Sequence, residues 1–370
     1  MSSVKNLLTS KYGPAVTGIC VGILAPILVR LGNPGNMGIC VACFTRDIAG
    51  ALGLHRAGVV QYIRPEIIGF VLGAFVAALM FREFKSRSGS SPIMRFLLGA
   101  FAMIGALVFL GCPWRAFLRL AGGDLNSIPG IAGLVVGVLI GISFLKNGFS
   151  LGRNKGAAWP VGYIMPALAI GLLVLLIFAP LAGRDAAGQP TGPVFFSTEG
   201  PGSMHAPILI TLAIGLIIGF MAQRSRFCTV GAIRDYALMR DGHLLSGVIA
   251  LIIAAFITNI ALGQFKAGFV NQPIAHTDWF MNFAGMLLAG LAFTLAGGCP
   301  GRQVFLSGEG DGDAGVFVLG MLTGAAFAHN FSLASSAKGP GPYGLVAVVI
   351  GLVFCIVTGI YMKEKRSVGG

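Results

Sequence analysis

Residues 36–47 read Asn-Met-Gly-Ile-Cys-Val-Ala-Cys-Phe-Thr-Arg-Asp, and residues 224–235 repeat part of this pattern. In both stretches a cysteine stands six residues before an Arg-Asp pair: Cys40 before Arg46 and Asp47, and Cys228 before Arg234 and Asp235. The same offset of 188 residues (228 − 40) relates His55 to His243. An offset that is kept over this distance indicates that the segment occurs twice in the chain.

A second motif follows each copy of the first. Gly-Cys-Pro-x-Arg occurs at residues 111–115, with Cys112 and Arg115, and at residues 298–302, with Cys299 and Arg302. The offset is 187 residues (299 − 112), and it also places Asp124 on Asp311. Both cysteine segments recur in the same order, so the chain is an internal duplication. Because solenoid repeats have far shorter periods, the sequence predicts two fused half-domains.

The composition is that of a polytopic membrane protein. Only 11% of the 370 residues are charged, 55% are hydrophobic and the mean hydropathy is +0.85. The net charge of +13 would suggest a nucleic-acid partner in a soluble protein, but here much of it lies in short loops between apolar segments. Such loop charges orient a membrane protein, so we expect a lipid bilayer and no nucleic acid as partner.

Ten apolar runs could cross the bilayer: 14–30, 65–80, 96–110, 129–145, 159–180, 205–221, 244–263, 279–296, 315–331 and 343–361. Lys and Arg concentrate near residues 5–11, 82–95, 146–155 and 363–366, whereas loops 183–203 and 264–278 contain few. The positive-inside rule makes the first set cytoplasmic, together with both termini.

These constraints place Cys40 and Cys112 on the outer side of the membrane and Cys228 and Cys299 on the inner side. Corresponding spans one and six are five crossings apart, an odd number, so the two halves are predicted to be inverted. The predicted fold is an all-α polytopic membrane protein, an inverted duplication of two four-helix halves. Its predicted parts are a first repeat (1–158, spans one to four), a connector span with an external loop (159–204), a second repeat (205–341) and a C-terminal span with a basic cytoplasmic tail (342–370).

The cysteine segments are predicted to re-enter the bundle. Residues 31–64 and 222–243 are too long and too apolar for surface turns. Irregular backbone at membrane depth is tolerated only where it is buried in protein or lines a cavity. Many transporters combine inverted repeats with broken helices near the midplane, where the transported species binds.

The proline after Cys112 and after Cys299 suits the first turn of a short helix, which would make each cysteine an N-cap. Free backbone N–H groups at such an end favour anions. Arg115 and Arg302, three residues on, lie within about one turn and would add positive charge. The alternative is a tight, buried turn, because free cysteine is often buried. Four matched cysteines in two halves favour the functional interpretation.

The remaining polar groups have structural explanations. We interpret Arg46-Asp47 and Arg234-Asp235 as ion pairs or caps that hold the re-entrant segments; the alternative makes the arginines anion ligands. Cys40 and Cys43 form a C-x-x-C, yet Cys43 corresponds to Gly231 in the other half, so zinc or redox chemistry is disfavoured. His55 and His243 are interpreted as loop or helix-end residues. No metal site, cofactor or catalytic residue is predicted.

With these cysteine segments, the Gly-Cys-Pro elements and the inverted duplication, the chain resembles the YeeE/YedE membrane proteins of sulfur transport, and within them the selenium-associated YedE branch. The resemblance covers essentially the whole chain. It implies an inner-membrane protein with an hourglass-like pore, in which thiosulfate passes along axial cysteines by S–H···S contacts, and a small cytosolic sulfur-carrier partner of the TusA type. The matching cysteines are Cys40, Cys112, Cys228 and Cys299, while Cys43 and an extra C-terminal span depart from the family.

Two classes of function follow from these observations. The first is a transporter or channel for a sulfur- or selenium-containing anion, since thiols are polarizable partners for sulfur or selenium. The second is a membrane-embedded sulfurtransferase or selenium-handling enzyme with a covalent cysteine intermediate. An enzyme needs one thiol with a base beside it, whereas these cysteines are distributed over both halves. The sequence therefore favours transport and a non-enzymatic protein.

Overall fold

The computed structural model describes residues 7–179, 185 and 191–363. This part of the chain contains ten long helices: α1 (Gly13–Arg30), α3 (Pro65–Met80), α4 (Pro92–Phe109), α6 (Ser127–Lys146), α7 (Trp159–Phe178), α8 (Ile208–Ser225), α10 (His243–Ala261), α11 (Trp279–Ala296), α13 (Gly312–Asn330) and α14 (Gly344–Tyr361). Four shorter helices lie between them: α2 (Val41–Ala51), α5 (Pro113–Ala121), α9 (Thr229–Met239) and α12 (Pro300–Gly308). The antiparallel two-residue strands β1 (Arg87–Ser88) and β2 (Lys155–Gly156) join two loops.

The long helices have the length and composition of membrane spans. Within the described residues, nine segments are long and apolar enough to cross a membrane, and α3 is a shorter apolar helix of 16 residues. Together they coincide with the ten apolar runs of the sequence. The prediction of an all-α polytopic membrane protein is confirmed.

Helices of one half pack mainly on helices of the other. Helix α1 packs on α10, and α8, the duplicate of α1, packs on α3, the duplicate of α10. In the same way α6 packs on α11 and α13 packs on α4. The contacts therefore exchange when the halves are exchanged, as pseudo-two-fold symmetry requires. The predicted boundaries at residues 158, 204 and 341 stay a prediction.

Corresponding helices run in opposite directions. At one end of α1, Thr17 Oγ1 donates to Ser225 Oγ of α8 (2.9 Å), and beyond its other end the amide of Ala206 donates to Asn33 Oδ1 (2.8 Å). Helices α4 and α11 are also antiparallel, because Arg95 near the start of α4 donates to the carbonyl of Ala296 at the end of α11 (3.1 Å). The duplication is thus inverted in space.

Glycines allow the helices to approach closely. A Cβ added at Gly18 of α1 would lie 2.0 Å from the carbonyl oxygen of Gly247 of α10. Within a bilayer, where lipid is as apolar as leucine, such close backbone contact is a main source of helix association. The large number of glycines, 56 in all, therefore fits the packing of the bundle.

The loops fall into two groups on opposite ends of the bundle. One group, the basic face, comprises loops 81–91, 147–158, 222–228 and 309–312, joined by the β1–β2 pair and by an ion pair between Arg87 and Asp311 (2.7 Å). The other group, the opposite face, comprises loops 31–40, 52–64, 110–126, 191–207 and 262–278, joined by backbone and side-chain hydrogen bonds.

The assignment of the basic face to the cytoplasm stays a prediction. Most of the loop 183–190, with Gln189, lies outside the described residues, as do the terminal residues Ser3, Lys5, Lys365, Arg366 and Ser367 that bear on the location of the termini.

Candidate functional site

Each of the four short helices begins directly after a cysteine. Cys40, Cys112, Cys228 and Cys299 are the N-cap residues of α2, α5, α9 and α12, each with extended backbone. Three of the sulfur atoms accept a hydrogen bond from the backbone N–H three residues on, at 3.3 Å for Cys40, 3.2 Å for Cys228 and 3.4 Å for Cys299. The thiols thus lie at the positive ends of four helix dipoles.

The structure brings these cysteines together as two pairs, one in each half. The sulfur atoms of Cys40 and Cys112 are 3.8 Å apart. In the second half the backbone N–H of Cys299 donates to the sulfur atom of Cys228 (3.4 Å). All four side chains are buried. We call these the first and second thiol pairs, and the first lies toward the opposite face and the second toward the basic face.

Cys43 adds a third thiol beside the first pair. It lies in the first turn of α2 and is fully buried, and Nη1 of Arg115 approaches its sulfur atom at 3.5 Å. Gly231 occupies the corresponding position in the second half, so the two ends of the site differ. All seven cysteines of the chain are free thiols.

Arg115 is a structural clamp in this conformation. Its guanidinium donates to the carbonyl oxygens of Leu110, Asn36 (3.1 Å) and Ile274 (2.9 Å), and so joins three loops of the opposite face. The described part of the chain gives Arg115 no carboxylate partner, so its positive charge is not neutralised by an acidic side chain. It lies one helical turn from the first thiol pair.

Arg302 has a different environment. Its guanidinium forms an ion pair with Glu309 (3.1 Å), and Glu309 also pairs with Arg226 (2.9 Å). Arg226 in turn pairs with Glu83, which also binds Arg224. Burial acts to raise the pKa of Glu83, but hydrogen bonds from Arg224 and Gln223 outweigh it and lower that pKa below its usual value. This network ties the second thiol pair to the basic face.

The two Arg-Asp pairs are present but differ in burial. Arg46 and Asp47 are in contact at 2.6 Å and fully buried, and Asp47 also binds Arg64 at 2.7 Å. The guanidinium of Arg64 then donates to the carbonyls of residues 201 and 204, which fixes the loop before α8. Arg234 and Asp235 are 2.8 Å apart and partly exposed. Arg64 was missed in the sequence because it lies 17 residues from its acidic partner.

The two predicted histidines lie away from the thiols. His55 Nε2 is 3.1 Å from the carbonyl oxygen of Arg46, and its ring packs on that of His329 with centroids 4.6 Å apart. His243 is the first residue of α10. Among the residues that the structure describes, no group of three or more His, Cys, Asp or Glu side chains could hold a metal ion.

A tryptophan lies between the two thiol pairs. Trp114 follows Cys112 by two residues, and its ring packs edge-on against that of Phe227, the neighbour of Cys228, with centroids 5.3 Å apart. The ring also lies over the backbone of Gly301, two residues after Cys299. Sequence reasoning missed this residue, although one signal was available: the duplication places Trp114 on Gly301 (114 + 187 = 301), a large side chain on none.

A cavity of about 240 Å³ opens near the first thiol pair. Its lining includes Asn36 and Gly38, which lead into Cys40, and Leu118 of α5, which begins after Cys112. Pro273 of the loop 262–278 closes one side. The cavity therefore lies on the side of the opposite face.

Comparison with known proteins points to sulfur transport. A family described as "Sulphur transport" matches residues 224–363, which contain the second thiol pair. The thiosulfate transporter TsuA of Escherichia coli (strain K12) is 31% identical over 108 residues, 29% of this chain and 30% of that protein. The thiosulfate transporter TsuA of Spirochaeta thermophila is 29% identical over 99 residues, 27% of this chain and 29% of that protein. The matched part of the chain thus spans about 30% of the length of these transporters.

A further relative has no assigned function. An uncharacterized protein of Methanocaldococcus jannaschii is 27% identical over 103 residues, which are 25% of this chain and 98% of that protein.

Proposed function

We propose, from the premise that this chain belongs to the YeeE/YedE family of sulfur-transport membrane proteins, that it carries a sulfur- or selenium-containing anion such as thiosulfate across a membrane. The observation that carries the proposal is the presence of two buried thiol pairs at the N-termini of four short helices.

The chemistry of these pairs suits a soft anion. Helix N-termini attract negative charge through their free N–H groups and dipoles. Thiols are weak donors to oxygen but are polarizable partners for sulfur or selenium. Conduction requires sites that bind strongly enough for entry and weakly enough for release. Two pairs of weak donors in series meet this requirement better than one strong site.

We propose a route that runs from the cavity beside Asn36 to the first thiol pair, then to the second pair and out at the basic face. Each pair presents two helix N-termini to one point, so the anion meets converging dipoles at both stations. Cys43 would add a third soft contact at the first station, which the second station lacks because Gly231 stands there.

The two arginines of the motif would contribute unequally. Arg115 keeps an unneutralised charge near the first pair and so attracts an incoming anion, although its donors are bound to carbonyls. Arg302 shares its charge with Glu309, which weakens the attraction near the second pair. We therefore propose that the anion binds more tightly at the first pair than at the second, which favours release toward the basic face.

We further propose that the protein lies in a bacterial inner membrane with the basic face and both termini in the cytoplasm. The anion would then be delivered inward, where a small TusA-like sulfur-carrier protein could accept its sulfur. The concentration of Lys and Arg in the loops of the basic face supports this orientation.

Uptake by proteoliposomes tests the function. Purified protein is reconstituted and offered labelled thiosulfate, selenite or sulfate, and the matched variant is Cys112→Ala. We expect thiosulfate or selenite to enter faster than sulfate, which has four oxygen atoms on its surface and no soft atom, and we expect the variant to lose this uptake. Equal entry of all three anions, or none with folded protein, would refute the proposal. Label that stays covalently bound to a cysteine would instead favour a sulfurtransferase.

A further inference from the structure

We propose that Trp114 is the gate between the two thiol pairs and a binding residue for the passing anion, which it contacts through its indole N–H. This proposal rests on the transport function proposed above. It adds a residue in the first turn of α5 to the route, at a position where the second half has glycine.

The location of the ring is the first argument. Trp114 is fully buried, and its backbone directly follows the Cys112-Pro113 turn of the first half. Its ring reaches the second half, where a Cβ added at Gly301 would lie 3.2 Å from the indole. An anion that moves from one pair to the other along the axis must therefore pass this side chain.

The surroundings of the ring form a barrier. Trp114 contacts the rings of Phe70, Phe227 and Phe305 at centroid distances of 6.1, 5.3 and 6.0 Å. Phe70 and Phe305 pack edge-on against each other at 5.5 Å. An unpaired charge is costly to bury in an apolar layer, so this layer blocks ions as long as the ring stays in place.

The duplication explains how one ring can serve as the gate. The residue equivalent to Trp114 is Gly301, and any side chain at Gly301 would press on the indole. The glycine thus provides a flat surface against which a single ring closes, and the two halves supply unequal parts of one gate. A second tryptophan at this position would have no space.

The indole N–H gives the gate a chemical role. Nε1 of Trp114 is buried and has no hydrogen-bond partner in the described structure. Buried tryptophans normally find a partner for this group, and each exception needs an explanation. A Cβ at Gly301 would lie 3.3 Å from Nε1, so the donor lies over the first turn of α12, beside the second pair. We infer that it donates to the anion during transfer between the pairs.

Two substitutions separate the ring from its N–H. Trp114→Phe keeps an aromatic ring and removes the donor, and we expect thiosulfate uptake to fall roughly tenfold or more, because a hydrogen bond to a charged group is lost. Trp114→Ala removes the ring, and we expect proteoliposomes to leak chloride and sulfate, which the native protein excludes. Trp159→Phe, at an exposed tryptophan of α7, is the matched control and should behave as the unmodified protein.

A third variant covers the case in which Trp114→Ala does not fold. Gly301→Ala adds one methyl group against the indole, and we expect it to slow uptake severalfold without a leak. Trp114→Phe uptake equal to that of the unmodified protein would overturn the binding role. Normal uptake by Gly301→Ala, or a folded Trp114→Ala that admits neither chloride nor sulfate, would overturn the gate. If the unmodified protein itself transports neither thiosulfate nor selenite, the proposed function fails instead.

Discussion

The sulfur atoms of Cys40 and Cys112 lie 3.8 Å apart, although 72 residues separate them in the chain. Each caps a short helix, so two helix N-termini converge on one point inside the bundle. The second half repeats the arrangement with Cys228 and Cys299. Convergent dipoles and soft sulfur atoms at one point are the physical basis of every prediction about transport below.

Replacement of sulfur by oxygen should stop transport and spare the fold. Cys112→Ser keeps a hydroxyl donor and the N-cap but loses the polarizable atom, so we expect thiosulfate uptake to fall at least about tenfold while the melting temperature changes by only a few degrees. Cys355→Ser, at a fully buried cysteine of α14 with no cysteine partner, is the control. The reverse pattern, with stability lost and transport per folded molecule kept, would make Cys112 a packing residue.

The short contact in the first pair predicts cross-linking. A mild oxidant such as copper phenanthroline should remove two electrons and two protons from Cys40 and Cys112, join them by a disulfide and block uptake until a thiol reductant is added. Peptide mapping by mass spectrometry identifies the bond. Cys112→Ser has no such pair, so it should yield no Cys40–Cys112 peptide. An oxidised protein that contains this bond and still transports at the normal rate would contradict a route past these thiols.

The two thiol pairs should differ in accessibility from the two sides of the membrane. A bulky, impermeant maleimide should react with Cys112 before Cys299 in intact cells, and inside-out vesicles should reverse the order. Excess thiosulfate should slow both reactions, because an anion held at the helix N-termini shields the thiols. Equal rates from both sides, without protection, would argue that the thiols are ordinary core residues.

Asp47 and Asp235 are duplicate positions with unequal burial, so the same substitution should have unequal effects. Asp47→Asn leaves two buried arginines, Arg46 and Arg64, without a full countercharge, and we expect a loss of about 3–5 kcal/mol of stability. Asp235→Asn removes a partly exposed ion pair and should cost at most about 1 kcal/mol. Thermal unfolding in detergent compares the two variants. Similar melting temperatures would show that Asp47 does not hold its segment in place.

The sequence by itself determined the membrane class, the helical fold and the duplication. Apolar runs of sufficient length leave a chain in lipid few alternatives to helices, because each helix satisfies its own backbone hydrogen bonds. The four cysteine positions were equally accessible, since a conserved offset and a proline after two of them locate short helices by local chemistry. Even the inversion followed from the odd number of crossings between corresponding spans.

Only the tertiary structure decided which of these elements meet. It paired Cys40 with Cys112, gave Asp47 a second arginine in Arg64, and placed the Trp114 ring over Gly301. Helices in a bilayer choose neighbours by close backbone contact at small residues and by side-chain shape, and a hydrophobic pattern that is apolar on all sides does not encode that choice. The pairing of distant side chains therefore depends on the assembled bundle.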